Sequence, residues 1–433
     1  MSQGQPLDSV APQPPKGALA IIFSIVFIDL MGFGIIIPLL PFYVKAPQDK
    51  PLQVTLLFSV FSICQFIGAP VLGAISDRIG RKPVLAFSQV GSAIGYVLLG
   101  VATQPQFHFS DTMLLTLVYI SRVIDGFTGG NISTAQAYIS DVTTPKNRAK
   151  GMALIGVAFG LGFAFGPFLG GVLGAIHVSI PAYVAAGFSA CAAVLTLVRL
   201  PESRVNKPVD VEAWLHPRRF APILNNRVLV ELLAISFCLM AAFVMMESTI
   251  GLYLNDRFGW GPKQVGWYFA YIGIIIALVQ GGLVRRLTTK MSDWPLAIAG
   301  PFLVAIGMLG YIRLGYGGGL LVLFVAGAIN ASGRSLQMPT ISSLISKFSD
   351  PKQQGVVFGL YSGLSSLARV AGPVVAGLVY PFLHHTGQYL AAAIIALLMG
   401  AWLMVLRQPT PGEAVEKPVP ATHNPNEVPM AEL

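Results

Sequence analysis

The chain has 433 residues, of which 54% are hydrophobic and 11% are charged, and its mean hydropathy is +0.69. Soluble domains carry about 25% charged residues, so this composition excludes a soluble globular protein and indicates a polytopic membrane protein. The formal net charge of +9 does not indicate a nucleic-acid partner, because the cations are concentrated on one predicted side of the membrane.

Twelve apolar segments follow a polar, proline-rich start. Residues 1–17 are expected to be disordered, because they cannot bury enough apolar surface. Each later segment is near the ~20 residues that a membrane-spanning helix needs, and the first lacks a small-residue cleavage site, so we expect no cleavable signal peptide. The pattern predicts an all-α fold with transmembrane helices at residues 18–42, 53–75, 84–103, 112–140, 149–175, 179–200, 228–255, 263–284, 294–314, 318–346, 353–383 and 386–406.

Residues 201–227 form the longest polar interval inside the chain and separate two predicted six-helix bundles, 18–200 and 228–406. We expect this linker to be cytoplasmic and the tail, 407–433, to be disordered. The bundles also repeat in sequence, since Gly166-Pro167 recurs as Gly372-Pro373 after 206 residues. A parallel repeat of this kind holds its substrate at the membrane midplane, between the two halves.

The positive charges predict an orientation. The predicted outer loops contain five cations, namely Lys45, Lys50, Arg257, Lys263 and Arg313. The apolar segments contain three, namely Arg122, Arg334 and Arg369. The other 20 of the 28 Lys and Arg residues then lie in cytoplasmic segments. This excess predicts a multi-pass protein of the inner or plasma membrane with both termini in the cytoplasm.

Two acids lie deep in apolar segments, Asp29 in the first and Glu247 in the seventh. An ionised side chain at such a depth costs roughly 2.5–3.5 kcal/mol, so it usually faces a wet cavity or a partner. Protonation would remove much of that cost, which suits a proton carrier. We interpret both as residues that couple protons to substrate. The alternatives are a permanently ionised Asp29 and a Glu247 paired with Arg334 or Arg369.

The fourth segment carries Arg122 and Asp125 three residues apart, so the two side chains share a helix face. The spacing by itself allows a static ion pair that keeps both charges neutralised.

Residues 73–82 read G-A-I-S-D-R-I-G-R-K and join the second and third segments. A stretch with so many charges does not enter hydrocarbon, so we predict a cytoplasmic loop. Its candidate gating residues are Gly73, Asp77, Arg78, Gly80, Arg81 and Lys82.

The fifth segment is rich in glycine at spacings of about four residues. Such spacing lets two helix backbones approach closely, and a proline inside the segment predicts a kink. The residues of this string are Gly156, Gly160, Gly162, Gly166, Pro167, Gly170 and Gly171.

These motifs resemble those of one family. The junction at 73–82 resembles the G-x-x-x-D-R-x-G-R-[KR] signature of the major facilitator superfamily. The D-x-x-G-x-G-x-x-x-P-x-x-P pattern from Asp29 to Pro41 is similar to that of the bacterial tetracycline and multidrug antiporters. The R-x-x-x-G motif at Arg122 and the glycine string resemble the proton-coupling and antiporter signatures of the same superfamily.

The resemblance implies a monomeric drug/proton antiporter that exports small amphipathic molecules by alternating access. It implies a proton gradient as the energy source, with no cofactor and no metal. It also implies that Asp77 reaches the start of the eleventh helix, near residues 353–359, when the inside is closed. A sugar or metabolite symporter or uniporter of the same fold is the alternative.

Two departures from the family pattern concern the substrate. Tetracycline antiporters carry an acid in the third and in the ninth helix, whereas residues 91–99 and 298–311 contain none. Tetracycline itself is therefore doubtful as the substrate. An enzyme or an ATP-driven pump is not predicted, because the sequence lacks G-x-x-x-x-G-K-[ST], H-E-x-x-H and G-x-S-x-G motifs.

Overall fold

The computed structural model describes residues 17–44, 49–143, 145–203, 221–350 and 353–406. Over these ranges the chain is helical and contains no strand. The segments expected to be disordered, 1–17 and 407–433, lie outside the described residues except for Gly17, and so does most of the 201–227 linker.

The first half contains six membrane-length elements, and two of them change helix type along their length. The first helix ends in a 3-10 turn at Ile37–Tyr43, and the fourth element is interrupted by a 3-10 turn at Gly129–Asn131. The helices are α1 (Ala18–Ile36), α2 (Pro51–Ile79), α3 (Arg81–Ala102), α4 (Asp111–Thr128), α5 (Ile132–Val142), α6 (Pro145–Gly174) and α7 (Ser179–Arg199).

The second half repeats this arrangement after a short helix. Its second membrane-length element contains a π-helical turn at Val279–Val284. The helices are α8 (Ala221–Asn225), α9 (Arg227–Phe258), α10 (Pro262–Leu278), α11 (Arg285–Thr288), α12 (Asp293–Gly315), α13 (Leu320–Lys347), α14 (Gln354–Val379) and α15 (Gly387–Val405).

Eleven of these elements are long and apolar enough to cross a membrane. The remaining one, formed by α4 and α5, carries Asp111, Arg122 and Asp125 in its first part and is divided by the 3-10 turn. Since α4 and α5 follow one another without a loop, they complete a set of twelve. The predicted all-α polytopic fold is therefore confirmed.

The prediction of a loop at 73–82 is wrong. Helix α2 continues to Ile79, α3 begins at Arg81, and Gly80 alone separates them. Gly80 has φ +103° and ψ 160°, a combination that is essentially restricted to glycine. The charges exclude this stretch from hydrocarbon, but they do not exclude helix, because a helix can project beyond the membrane core into water.

The glycine string does not interrupt its helix. Helix α6 runs from Pro145 to Gly174 with Pro167 inside it. Membrane helices tolerate such a proline because neighbouring groups satisfy the backbone carbonyl that it leaves free.

The two halves meet along two helix pairs, α2 with α14 and α6 with α10. We name the two ends of the bundle after their junctions: the Gly80 face lies between α2 and α3, and the Gly259 face between α9 and α10. Near the Gly259 face both pairs pack backbone against backbone. A Cβ on Gly377 of α14 would overlap the hydroxyl of Thr55, and one on Gly171 of α6 would overlap the backbone of Gly266.

Toward the Gly80 face the same helices separate. Midway along α2 and α14, Ser59 Oγ donates to the Val370 carbonyl at 2.9 Å. Further along, a Cβ on Gly363 would meet only the Phe66 ring, at 4.0 Å, and one on Gly359 would meet no described atom within 4 Å. Gly359 precedes Gly377 by five whole helical turns, so both face the same way. The halves therefore form a wedge that opens at the Gly80 face.

Helix α6 shows the same change from close packing to open space along its length. Gly160 lies about three turns before Gly171 and on nearly the same side of the helix. A Cβ on Gly160 would meet no described atom within 4 Å, whereas a Cβ on Gly171 would lie 2.8 Å from the Pro262 carbonyl oxygen. Both contacts between the halves are thus closed at one end and open at the other.

Candidate transport site

The residues at the apex of the wedge line a central cavity. Side chains from α1, α2 and α4 meet side chains from α9 and α14, so both halves contribute. The cavity admits water over about 20 Å³, which is room for about one water molecule. Its lining consists of Phe33, Leu40, Phe58, Phe61, Ser62, Arg122, Val244, Glu247 and Arg369.

Aromatic rings form the first half's wall of this cavity. Phe33 of α1 stacks on Phe61 of α2 with ring centroids 4.8 Å apart. On its other side Phe33 meets Phe163 of α6 edge to face at 6.0 Å. These contacts hold three helices of one half together and present a flat apolar surface to the cavity.

Arg122 and Asp125 form a buried ion pair on α4. The Arg122 Nη1 and Asp125 Oδ2 atoms lie 3.2 Å apart, and each side chain is about 2% exposed. The guanidinium also lies 5.7 Å from the centre of the Tyr96 ring and 6.0 Å from that of Phe61. Burying two charges is favourable only when they neutralise each other, so the two residues act as one unit.

Asp29 lies behind this pair, inside the first half. The side chain is half-buried, and its polar neighbours are Gln89 of α3, Asn131 of the 3-10 turn and the carboxylate of Asp125. One turn further along α1, Gly32 leaves room for the Tyr96 ring, which approaches to 3.5 Å of a Cβ at that position. The polar cluster of Asp29, Gln89, Asn131 and Asp125 thus adjoins the cavity through Arg122.

Glu247 lies in the cavity on the side of the second half. Its side chain is 7% exposed, and its charged neighbours are Arg369 of α14 and Arg334 of α13. No ion pair within 4.0 Å joins Glu247 to either arginine in the part of the chain that the structure describes. Asp29 and Glu247 therefore belong to separate clusters, one in each half, with Arg122 between them.

The Gly80 junction is a compact ionic network. Arg81 pairs with Asp77 one turn earlier, at 2.7 Å, and with Asp141 at the end of α5, at 3.2 Å. Its Nη1 donates to Ser76 Oγ at 2.6 Å. These contacts tie α2, α3 and α5 together, and Asp77 forms an ion pair with Arg81 in this state.

Glu202 closes the same network from the end of the first half. Its carboxylate accepts the backbone N–H groups of Arg81 and Lys82 at 2.9 and 3.1 Å, so it caps the start of α3. Neither this cap nor the contact between Arg81 and Asp141 is predictable from the sequence. Spacing gives no signal for them, since the partners lie 121 and 60 residues from Arg81.

The glycine string has three different environments. A Cβ on Gly166 or Gly170 would collide with the backbone of α1, and one on Gly162 would press on Leu30 at 3.0 Å, because that face of α6 packs directly on α1. Gly171 faces α10 across the boundary between the halves. Gly156 and Gly160 have no described atom within 4 Å of a Cβ.

Two six-helix halves around a central polar cavity are the arrangement of a secondary transporter built from a parallel repeat. The sequence model of the Major Facilitator Superfamily matches residues 22–322 and 286–429. The chain therefore belongs to the Major Facilitator Superfamily. It is a transporter of small molecules and not an enzyme, and the family resemblance predicted from its motifs is confirmed.

The relatives extend over nearly the whole chain. The tetracycline resistance protein, class C, of Escherichia coli is 29% identical over 398 residues, covering 91% of this chain and 97% of that protein. The human Major facilitator superfamily domain-containing protein 10 is 28% identical over 426 residues, covering 87% and 90%.

Solved structures agree with this assignment. The human organic anion transporter MFSD10 (TETRAN) aligns with a TM-score of 0.65 at 26% identity, over 90% of this chain and 100% of that chain. A POT family transporter in complex with a thioalcohol-conjugated peptide aligns with a TM-score of 0.70 at 15% identity, over 91% and 98%. The latter similarity concerns the fold alone.

Proposed function

We propose that this protein is a proton-coupled antiporter of the cell membrane that exports small amphipathic molecules by alternating access. The observation that carries the proposal is the central cavity, which both halves line and which lies at the apex of a wedge. In such transporters the halves rock around a fixed midplane site. The similarity to a tetracycline resistance protein over 91% of the chain favours export.

The charge distribution assigns the two faces. The Gly80 junction carries Arg78, Arg81 and Lys82, and basic loops remain in the cytoplasm. The open end of the wedge then faces the cytoplasm, where an exporter takes up its substrate. Both termini lie on that side, and the Gly259 face is the closed outer end.

Protons are coupled through Asp29 and Glu247, with Arg122 and Asp125 between them. Arg122 belongs to both clusters, because it pairs with Asp125 and lines the cavity. Protonation of Asp29 removes one negative charge beside Asp125, and this strengthens the hold of Asp125 on Arg122. A proton bound in the first half thereby changes the charge that faces the substrate.

The Gly80 junction acts as the gate. In the open state Asp77 is held by Arg81 at 2.7 Å. When the inside closes, α2 approaches the start of α14 at Gln354. A carboxylate beside that helix start gains about 0.3–1 kcal/mol from the helix dipole, so closure transfers Asp77 from one favourable partner to another.

The test uses inverted membrane vesicles whose interior has been acidified, with acridine orange as the pH indicator. Compounds against which expression protects an exporter-deficient host serve as substrates. An antiporter releases the stored protons when a substrate is added, so dye fluorescence recovers. Asp29→Asn should abolish this recovery, whereas Asp49→Asn, an exposed acid outside the cavity, should leave it intact.

Two outcomes contradict the proposal. Substrate equilibration across the vesicle membrane without proton release would identify a uniporter, and further acidification on substrate addition would identify a symporter. Immunoblotting of each variant in the vesicles distinguishes loss of coupling from loss of the protein.

A further inference from the structure

The central cavity is unevenly charged. Arg369 and Glu247 line its second-half side, and the guanidinium of Arg334 lies just behind them, against the Phe243 ring. The three lie near the middle of α13, α14 and α9 and act on one another electrostatically. The ion pair of Arg122 and Asp125 adds no net charge, so the substrate meets one excess positive charge.

Neither guanidinium has an ionic partner. Among the described residues no carboxylate lies within 4.0 Å of Arg334 or Arg369. Phe243 covers one side of the Arg334 guanidinium, whose Cζ lies 3.1 Å from the ring centre. The Met240 sulfur accepts weakly from its Nη2 at 3.9 Å. Both arginine side chains are half-buried rather than sealed in the core, and Arg369 lines the cavity directly.

Two arginines without close ion pairs destabilise the membrane-embedded part of the protein. An arginine at mid-membrane is energetically unfavourable, and a static ion pair would remove part of that cost. The arrangement instead leaves two groups that are suited to bind the planar head of a carboxylate. A role in stability alone therefore does not explain them.

We propose that the substrates are amphipathic monoanions, whose acidic head binds at Arg369, with Arg334 behind it, and whose apolar body extends from Phe33, Phe58 and Phe61 into the open wedge. This inference rests on the proposed transport function and specifies its substrate class. Glu247 sets the charge count, because it neutralises one of the two arginines and leaves one positive charge for one anion. A cation in the same place would meet two like charges.

The inference also separates the two acids. A proton on Glu247 increases the positive charge of the cavity and would strengthen anion binding, which is the opposite of what an antiporter requires at a shared site. For an anionic substrate the exchanged proton is therefore bound by Asp29, in the first half and away from the arginines. Glu247 then adjusts substrate affinity.

The experiment measures equilibrium binding to the purified full-length chain in lipid nanodiscs, by dialysis, with empty nanodiscs as the blank. The probes are naphthaleneacetate, its neutral amide, and the cation naphthaleneethylamine, which share one aromatic body. The wild type should bind the anion about ten times more tightly than the amide, since charge-assisted hydrogen bonds are stronger than those to a neutral group.

The variants should move this preference in opposite directions. Arg334→Gln and Arg369→Gln should each reduce the preference for the anion to near unity, whereas Glu247→Gln should tighten anion binding several-fold. Arg313→Gln is the matched control, since this arginine lies near the Gly259 face and donates to the Tyr316 carbonyl. Binding of the neutral amide should change little in all four variants and reports whether the cavity has remained folded.

Tighter binding of naphthaleneethylamine than of naphthaleneacetate would overturn the inference, and so would loss of binding in Glu247→Gln. Because binding needs no proton gradient, this result is independent of the antiport assay. If the binding assay shows a preference for the anion but the vesicle assay shows no proton release, the proposed antiport is refuted and the inference stands. Proton release driven only by cations would refute the inference and keep the antiport.

Discussion

At the scale of single residues, Gly80 shows how one backbone conformation organises the junction between α2 and α3. Its positive φ lets α3 begin immediately after α2 ends. It also places the start of α3 against the Glu202 carboxylate, which accepts two backbone N–H groups there. The charged side chains of the motif then pair in a network around Arg81.

We expect Gly80→Ala to lower the thermal stability of the purified protein. The conformation costs an alanine about 1–3 kcal/mol, and its Cβ would lie 2.5 Å from Glu202 Oε2. Gly259→Ala is the control, because Gly259 has φ +63° and open space around a Cβ. A melting temperature reduced equally in both variants would show that the Glu202 contact contributes nothing.

At the scale of elements, the glycine string of α6 is divided among neighbours. Three glycines permit contact with α1, one permits contact with α10, and two face open space. The string was predicted as a single antiporter motif. Close packing on α1 and α10 explains four of these glycines. A Cβ on Gly156 or Gly160 would contact no described helix in this state, and these two glycines leave room for a helix to approach in another state.

We expect Gly170→Ala to destabilise the first half, because its Cβ would overlap the Ile35 carbonyl oxygen. Forcing an extra group into a packed interface costs about 1–3 kcal/mol. Gly156→Ala should leave the melting temperature unchanged or raise it slightly, since alanine favours helix by about 1 kcal/mol over glycine. The comparison is made by thermal unfolding of both variants in the same detergent. Equal stability of the two variants would contradict the packing of α6 on α1.

At the scale of the whole molecule, the wedge defines the conformational state. The contacts between α2 and α14 weaken from Gly377 through Val370 to Gly363 and vanish at Gly359. In the proposed transport cycle, closure of the Gly80 face brings α2 against the Gly359 side of α14. The proposed cycle therefore needs the open space beside Gly359.

A bulky residue at Gly359 should block closure without affecting the open state. We expect Gly359→Phe to retain binding of naphthaleneacetate and to lower transport to about a tenth of the wild-type rate or less, because conformational steps limit turnover in such cycles. Gly187→Phe is the matched control, since Gly187 is equally open but lies on α7, away from the boundary between the halves. Undiminished transport by Gly359→Phe would show that the halves close along another surface.

The spans, the two halves and the ionisable groups at mid-membrane are all predictable from the amino-acid sequence. These follow from local constraints. The thickness of the hydrocarbon core sets the length of each helix, and the hydrocarbon excludes charges wherever they occur along the chain. Only the tertiary structure decided which of these groups face one another. It placed Asp29 with Asp125, gave Glu247 two arginine neighbours, and left the wedge open at Gly80. Such choices depend on the rotation and tilt of helices that are far apart in sequence, and no spacing along a single helix encodes them.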